Sequence, residues 1–216
     1  MGLAPDSLPC LGRMITDIRL ATAADGAALA AIYAPAVEGR AISFELEPPD
    51  AAEMQRRVVA VTARTPWLVC VHRDAVVGYA YASPHRDRPA YSWSVDVSAY
   101  VHPDVQRAGV GRALYTSLFA VLVLQGFRNA YAGITLPNPA SVKLHEAVGF
   151  TPVGVYREVG YKLGRWHDVA WFERPLASHE IDPPSPRPLE VVRNEVPAFG
   201  MALAAGLRSV RLEPER

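Results

Sequence analysis

Apolar positions along the chain change period several times, which predicts alternating strands and helices. Near Met14 the pattern indicates a strand over ITDIRLAT, followed by an alanine-rich helix for which Thr22 or Asp25 is the predicted N-cap. A second helix is predicted from Asp50, its N-cap, to Val61. Two helices are therefore expected before most of the sheet.

The most informative predicted strand is YSWSVDVSAYV, residues 91–101, which follows a predicted hairpin (WLVCVH and VVGYAYAS) and a polar interruption, SPHRDRPA. Its odd positions are apolar or aromatic, and its even positions, including Asp96, are polar or polar-tipped. Because side chains alternate between the faces of a strand, one face is expected in the core. The other face, with Asp96, carries chemistry or meets solvent.

The second half of the chain continues the mixed pattern. A helix over 109–125 is too hydrophobic all round for a surface helix, and Gly126 is its predicted C-terminal stop. RNAYAGIT is a predicted strand, residues 139–148 a helix, and TPVGVYREVG and WHDVAWFER further strands. Because this order is mixed and no repeat is visible, it favours an α/β fold with a largely antiparallel sheet.

Both ends of the chain differ in character from the region between them. Residues 1–13 are predicted to be a loose extension, so the folded domain is expected over 14–176. Four prolines within 177–190 favour a linker or an extended surface strap, and 198–209 could form a short helix. This tail, residues 177–216, receives no predicted function.

Composition narrows the possible functions of the 216 residues. Twenty-two basic and 22 acidic side chains give zero formal charge, so nucleic-acid or anionic-membrane binding is not expected. Cys10 and Cys70 are too few for a metal cluster or a disulfide scaffold, and no metal site is predicted. No signal peptide is evident, and the longest apolar run, 118–124, is far shorter than the ~20 residues that span a bilayer. A cytoplasmic protein is expected.

The segment QRAGVG, Gln106 to Gly111, carries the clearest chemical signal. Gly109 and Gly111 let a ligand approach the backbone, and the amides of a helix N-terminus suit a pyrophosphate. Arg107 and Arg112 add positive charge beside it. Neither a P-loop Lys-Ser/Thr pair nor a GxGxxG unit is present, so coenzyme A is the remaining common ligand. On spacing alone, a helix-entry turn without any ligand remains an equal alternative.

QRAGVG resembles the acetyl-CoA signature of the GCN5-related N-acetyltransferase (GNAT) superfamily, and NPASVKLHEAVGF resembles its later helix motif. PWLVCVHRDAVVGYAYASP, RPAYSWSVDVSAYVHP, LPNPASVKLHEAVGF and GRWHDVAWF together are similar to phosphinothricin and methionine sulfoximine N-acetyltransferases over residues 15–176. The resemblance implies a GNAT fold: a mixed, mostly antiparallel central sheet flanked by helices, with splayed strands forming the acetyl-CoA cleft. It also implies acetyl transfer to the amine of a small amino acid, and a homodimer.

The resemblance further implies roles for individual residues. Acetyl-CoA would be held by the strand backbone before the signature, by the signature itself and by two later residues: Tyr100, Val101, Gln106, Arg107, Ala108, Gly109, Val110, Gly111, Asn138 and Ser141. His145 takes the place of a residue that protonates the leaving thiolate. Acceptor binding falls to Arg86 and Arg88, which can grip a carboxylate, and to the aromatic residues Phe44, Tyr91 and Tyr115. A structural role remains the alternative for each of these residues taken singly.

Asp96 is the main departure from the family pattern, which has a glutamate there as the base for the acceptor amine. An aspartate is one methylene shorter, and its ordinary pKa near ~3.9 makes it a weak base unless burial raises that pKa. A substrate-positioning or structural role is therefore the alternative for Asp96. For the whole protein, the alternatives are another acceptor, such as a different amino acid, a polyamine or a protein N-terminus, or a catalytically slow CoA-binding module.

Overall fold

The structure, a computed structural model, describes residues 16–211, so the predicted loose extension over 1–13 lies outside the described residues. Seven strands form one sheet in the order β1-β2-β3-β4-β5-β7-β6, and only the β4–β5 pair is parallel. The strands are β1 Thr16–Leu20, β2 Trp67–His72, β3 Ala75–Pro84, β4 Ser94–Val101, β5 Asn129–Thr135, β6 Thr151–Lys162 and β7 Arg165–Pro175.

Helices cover both faces of this sheet. They are α1 Gly26–Glu38, α2 Ala51–Thr62, α3 Val110–Gln125, α4 Pro139–Ala147, α5 Leu189–Arg193 and α6 Val196–Ala204. Asp50 is confirmed as the N-cap of α2, because its carboxylate accepts a hydrogen bond of 2.7 Å from the Glu53 amide. Gly126 is confirmed as the C-terminal stop of α3 and has a left-handed φ of +99°.

The predicted start of the fourth strand at Tyr91 is wrong. Residues Pro89–Tyr91 form a 3-10 turn and β4 begins only at Ser94, because Pro89 fixes its own φ and has no amide to donate to a ladder. Tyr91 therefore does not share the apolar face of the strand with Val95 and Val97, and it is exposed. The alternation itself holds from Ser94 onward, with Val95 and Val97 buried.

Two hydrophobic cores lie on opposite faces of the sheet. The first core packs α3, through Leu114 and Leu118, against Val95 and its neighbours on the sheet. The second core packs α1 and α2 against the other face, where Met54 and Tyr79 are buried. Because Asp96 alternates with Val95 along β4, its side chain projects to the face of the second core.

The tail beyond β7 packs on α3. Residues Leu189, Val192 and Phe199, from α5 and α6, form a third apolar cluster with Val121 of α3. Arg187 reinforces this contact, because its amide donates to the Gln125 carbonyl at 2.6 Å. The tail therefore covers one side of α3 with helices. α6 overlaps the short helix predicted over 198–209, and the proline-rich residues 177–188 precede both helices without regular structure.

Lys162, at the end of β6, fixes the loop between α1 and α2. Its ammonium group donates three hydrogen bonds, to the carbonyls of Val37 at 2.6 Å, Ser43 at 2.8 Å and Glu45 at 2.7 Å. The side chain is buried, and burial lowers its pKa. This loop carries Phe44 across the β6–β7 hairpin, where its ring lies so close to Gly160 that a side chain at that position would have to displace the ring.

We predict that Lys162→Met lowers the free energy of unfolding by about 2–4 kcal/mol, because the carbonyls of Val37, Ser43 and Glu45 would lose their donor. Urea unfolding monitored by circular dichroism measures this change. Lys143→Met, at an exposed position of α4, is the matched control and should change stability by less than about 0.5 kcal/mol. Equal stability of both variants would show that water replaces the lysine.

Candidate active site

The parallel pairing of β4 and β5 ends after three residue pairs. Ser94 pairs with Asn129, Val95 with Ala130, and Asp96 with Tyr131. Beyond this point residues 97–101 of β4 pair only with β3, and residues 132–135 of β5 pair only with β7. The two strands therefore splay apart into a cleft, and the backbone groups of β4 that face it are free of strand partners.

The segment QRAGVG lies between the end of β4 and the start of α3. Gly109 has a left-handed φ of +81° and is the N-cap of α3, and Arg107 also has a positive φ, +67°. Among residues 16–211, none accepts a hydrogen bond from the first-turn amides of Val110, Gly111 or Arg112. These amides and the positive end of the helix dipole are suited to phosphate oxygens.

Asn138 and Ser141 lie at the start of α4, just after β5. The Asn138 side chain is the N-cap of α4, because its Oδ1 accepts a hydrogen bond of 3.1 Å from the Ser141 amide. Leu144, one turn further on, packs against Gly111, where an added Cβ would be only 3.0 Å from the Leu144 side chain. The glycine thus permits close packing of α3 against α4 beside the cleft.

Asp96 stands at the position where the two strands part, and it is paired with a histidine. The Nδ1 atom of His85, in the loop after β3, lies 2.6 Å from Asp96 Oδ1. The side chains of His85 and Asp96 are 13% and 29% exposed, so the pair is shielded and still accessible. Within the described part of the chain, the Nε2 atom of His85 has no hydrogen-bond partner.

Aromatic rings surround this pair on the same face of the sheet. The His85 ring stacks on Tyr131, with centroids 4.3 Å apart, and meets Tyr91 edge-on at 5.8 Å and Trp171 at 6.3 Å. Arg86 lies over the Trp171 ring at 5.8 Å and donates to the His85 carbonyl at 2.8 Å. The result is an aromatic site with one acid, one imidazole and one guanidinium.

Burial raises the pKa of Asp96 above its ordinary value. The hydrogen bond from His85 and the positive charge of Arg86 act in the opposite direction but do not cancel the effect of burial. Asp96 is consequently a stronger base than an exposed aspartate. Burial therefore makes up for part of the low basicity expected of an aspartate at this position.

Tyr115 and His145 lie elsewhere, in the first core on the opposite face of the sheet. Tyr115 is 0% exposed, and its hydroxyl is 2.9 Å from His145 Nε2. His145 Nδ1 lies 2.8 Å from the Ser141 carbonyl, so that nitrogen carries the hydrogen and Nε2 accepts from Tyr115. Burial lowers the pKa of His145, which favours the neutral ring. Both ring nitrogens are therefore already engaged inside the protein.

The remaining predicted residues are spread around the cleft. Phe44 lies on the β6–β7 hairpin, 6.2 Å from the His167 ring, and has no described contact with Asp96. Arg88 is exposed at the N-cap of the Pro89–Tyr91 turn. The Tyr100 side chain packs in the second core, 4.8 Å from the Tyr33 ring, so only its backbone is available to a ligand in the cleft.

Sequence reasoning missed His85, Tyr131 and Trp171. His85 lay in a segment interpreted only as a polar interruption, and Tyr131 and Trp171 were assigned to ordinary strands. Alternation along β5 and β7 puts Ala130 and Phe172 in the core, and this could have assigned their neighbours Tyr131 and Trp171 to the other face. No sequence signal brings His85 to Asp96, because that contact depends on how the loop folds back.

Comparisons with known proteins agree with this geometry. The family model described as an acetyltransferase (GNAT) domain matches residues 18–171. The chain belongs to the GNAT acetyltransferase family. The resemblance drawn from the sequence is confirmed, as is the expected fold class, a mixed, mostly antiparallel sheet flanked by helices. The chain is thus an acetyl-CoA-dependent N-acetyltransferase.

Individual relatives extend the similarity over most of the chain. Phosphinothricin N-acetyltransferase of Streptomyces viridochromogenes is 42% identical over 180 residues, covering 83% of this chain and 96% of the relative. L-methionine sulfoximine/L-methionine sulfone acetyltransferase of Salmonella typhimurium is 34% identical over 166 residues, covering 75% of this chain and 95% of the relative. A crystal structure of a phosphinothricin acetyltransferase from Sinorhizobium meliloti in complex with acetyl-CoA has a TM-score of 0.75 and 37% identity, covering 78% of this chain and 93% of that one.

Residues 16–211 contain neither a membrane-spanning helix nor a grouping of side chains suited to a metal ion. No helix in residues 16–211 is long and apolar enough to cross a membrane. Over the same residues, no three histidine, cysteine, aspartate or glutamate side chains are grouped closely enough to hold a metal ion.

Proposed function

We propose that this enzyme acetylates the α-amino group of a small amino acid or analogue, such as phosphinothricin, methionine sulfoximine or methionine sulfone. The observation that carries the proposal is the Asp96–His85 pair at the mouth of the cleft, enclosed by aromatic rings with Arg86 beside it. The names of the similar proteins support the same acceptor class. Modification of such an inhibitor would confer resistance to it, and we propose that the reaction takes place in the cytoplasm.

The residues around the cleft fit acetyl-CoA, which supplies an activated acetyl thioester when bound. In this proposal the amides at the start of α3, with Gln106, Arg107 and Ala108 before them, hold the pyrophosphate. The backbone of Tyr100 and Val101, free of strand partners on the cleft side, is available to the amide groups of the pantetheine arm. Asn138 and Ser141, at the start of α4, border the same arm.

Asp96 and His85 would together prepare the acceptor amine. An amino-acid amine is mostly protonated near neutral pH and must lose a proton before it attacks the thioester directly. With Nδ1–H donated to the Asp96 carboxylate, the His85 Nε2 lone pair is free to take that proton, directly or through one water. An imidazole is a better base near neutral pH than a carboxylate, and the carboxylate stabilises the imidazolium that forms.

Arg86 is the better placed of the two predicted carboxylate-binding arginines. Both are exposed, but Arg86 lies over the Trp171 ring and donates to the His85 carbonyl, whereas Arg88 makes neither contact. Tyr91 and Phe44 would bound the acceptor on either side. For Tyr115 the buried position favours a packing role.

A role for His145 in protonating the leaving thiolate stays a prediction. Its Nδ1–H is donated to the Ser141 carbonyl, and its Nε2 accepts from Tyr115. Such a role would require one of these bonds to break during the reaction. The proximity of Ser141, a predicted cofactor-binding residue, is the observation that supports it.

We predict that the enzyme acetylates methionine sulfone and phosphinothricin with a higher kcat/KM than polyamines or peptides, because Arg86 beside the His85–Asp96 pair can bind the carboxylate next to the acceptor amine, which polyamines lack. Steady-state thiol-release assays across this panel measure the ratio. Arg86→Ala should raise the KM for the amino acid about tenfold or more, with Arg88→Ala as the matched control. Faster turnover of peptides would overturn the amino-acid assignment, and binding of acetyl-CoA without thiol release would favour a CoA-binding module.

We predict that His85→Phe, which keeps the stacking on Tyr131 but removes both nitrogens, lowers kcat about 10²-fold or more. Asp96→Asn should have a similar effect, and the double variant should be no slower than the singles, because the two groups act as one unit. Full activity of His85→Phe would leave Asp96 as the sole base.

The pH profile separates a positioning role from a purely structural one. Because the His85 hydrogen bond lowers the Asp96 pKa, its loss raises that pKa further. A base works only in its deprotonated form. With the imidazole gone, the acid limb of the residual kcat/KM in His85→Phe follows Asp96, so it should move to lower pH if the imidazole takes the amine proton in the parent enzyme. Movement of that limb to higher pH would show that Asp96 is already the base in the parent. Asp96→Glu restores the family residue and shows whether the pocket has adapted to the shorter acid.

We propose that the enzyme is a homodimer that uses the β6–β7 hairpin. β6 lies at the edge of the sheet, and its hairpin exposes a row of apolar side chains: Val153, Val155, Val159, Tyr161, Leu163 and Trp166. We predict that the double variant Tyr161→Glu/Trp166→Glu is monomeric by light scattering, whereas Val59→Glu, at an exposed position of α2, is not. A monomeric parent protein at micromolar concentration would contradict the proposal.

A further inference from the structure

The end of the described chain packs directly against the phosphate-binding turn. The Arg211 amide donates a hydrogen bond of 2.7 Å to the Ala108 carbonyl. The Ser209 carbonyl lies so close to the Gly109 Cα that a Cβ at Gly109 would be 1.9 Å from its oxygen. Both contacts are with the central residues of QRAGVG, the segment that would hold the cofactor phosphates.

A second set of contacts holds the end of the described chain, near Gly206, against the first turns of α3. The Ser117 hydroxyl donates to the Leu203 carbonyl at 2.6 Å and accepts from the Gly206 amide at 3.0 Å. Gly206 is buried against Ala113, where an added Cβ would be 1.9 Å from the Ala113 carbonyl oxygen. Only glycine allows this approach of two backbones without a shift.

Apolar contacts hold the segment in place between these two points. Leu207 and Val210 pack against the first core, and Leu203 packs against both the first and the third core. The 3-10 turn at Leu207–Ser209 connects α6 to the residues that contact Ala108 and Gly109. Residues 206–211, here called the C-terminal brace, are therefore anchored to α3 before they meet the turn.

The contacts of the brace leave the donor side of the turn free. They engage the Ala108 carbonyl and the Gly109 Cα, and none of them uses the first-turn amides of α3. A bonded Ala108 carbonyl fixes the plane of the Ala108–Gly109 peptide, next to the left-handed φ of Gly109. The orientation of the following amides depends on those two dihedrals.

We propose that the C-terminal brace is a positioning element for acetyl-CoA: it holds the phosphate-binding turn in its binding conformation and so increases affinity for the cofactor. The proposal rests on the phosphate-binding role of QRAGVG proposed above. It adds a function for the tail, which lies beyond the residues 18–171 that match the family. Preorganisation of a turn raises affinity because less conformational freedom is lost on binding.

Gly206→Ala tests the anchor, and Gly200→Ala is its matched control. Gly200 is in α6, in the same tail, and has open space around its Cα. We predict that Gly206→Ala weakens CoA binding about fivefold to twentyfold by calorimetry and raises the KM for acetyl-CoA to match, because the added methyl forces the brace away from α3. The KM for the amino acid should stay within about twofold, and Gly200→Ala should bind CoA like the parent enzyme.

Arg211→Pro tests the hydrogen bond to Ala108, with Arg211→Ala as control. Proline removes the amide donor, and the extended conformation of Val210, with ψ of 130°, is compatible with a following proline. CoA binding should weaken about threefold to tenfold in Arg211→Pro, the effect of one hydrogen bond. Arg211→Ala retains the amide and should bind CoA like the parent.

Unchanged CoA affinity in Arg211→Pro would overturn the proposal. A lower unfolding temperature of Gly206→Ala with unchanged CoA affinity would also overturn it, because the tail would then stabilise the fold without affecting the cofactor site. Equal losses of CoA affinity in Arg211→Ala and Arg211→Pro would also overturn the proposal, because the loss would then come from the missing charge of the Arg211 side chain and not from the missing amide donor. If Gly206→Ala fails to fold, the Arg211 variants still decide. CoA binding needs no acceptor amine, so this test does not depend on which amine the enzyme acetylates. If the parent enzyme bound no CoA, the proposed phosphate-binding role of QRAGVG would itself be wrong.

Discussion

The early end of pairing between β4 and β5 is the constraint on which the rest of the site depends. Two parallel strands that paired along their whole length would bury the backbone groups of residues 97–101 in a ladder and leave no cleft. Because the pairing stops at Asp96 and Tyr131, that backbone is available to an extended ligand. The same divergence brings the acid, the free strand edge and the start of α3 to one place.

The two faces of the sheet have different roles: one forms a packed core and the other carries the candidate active site. On one face α3 fills the first core, and even the polar residues Tyr115 and His145 satisfy each other there. On the other face the splayed region is covered by rings that stay partly exposed, with His85 stacked on Tyr131. A buried imidazole with both nitrogens bonded supports packing, whereas an imidazole with one free nitrogen can exchange protons.

Periodicity in the sequence was enough to predict the sheet, the position of α3 and the face on which Asp96 lies, because these follow from local alternation and from glycines at helix ends. The family motif located QRAGVG, the turn that begins α3 and is proposed to bind phosphate. The His85–Asp96 contact could not be predicted, since it joins a loop to a strand 11 residues away through the fold of the polar segment. In the tail, the short helix predicted over 198–209 overlaps α6, but its packing on α3 could not be predicted, since that contact joins residues far apart in the chain.

Small residues explain why several backbones can converge at the phosphate-binding turn. Gly111 lets α3 approach Leu144 of α4, Gly109 permits both a left-handed turn and contact with Ser209, and Gly206 lies against the carbonyl of Ala113. A side chain at Gly109 or Gly206 would force two backbones apart, and one at Gly111 would crowd the Leu144 side chain. An amide donates usefully to a phosphate only when its peptide plane is fixed. In the proposed phosphate-binding role, close packing around the turn and affinity for the cofactor would therefore both depend on the same glycines.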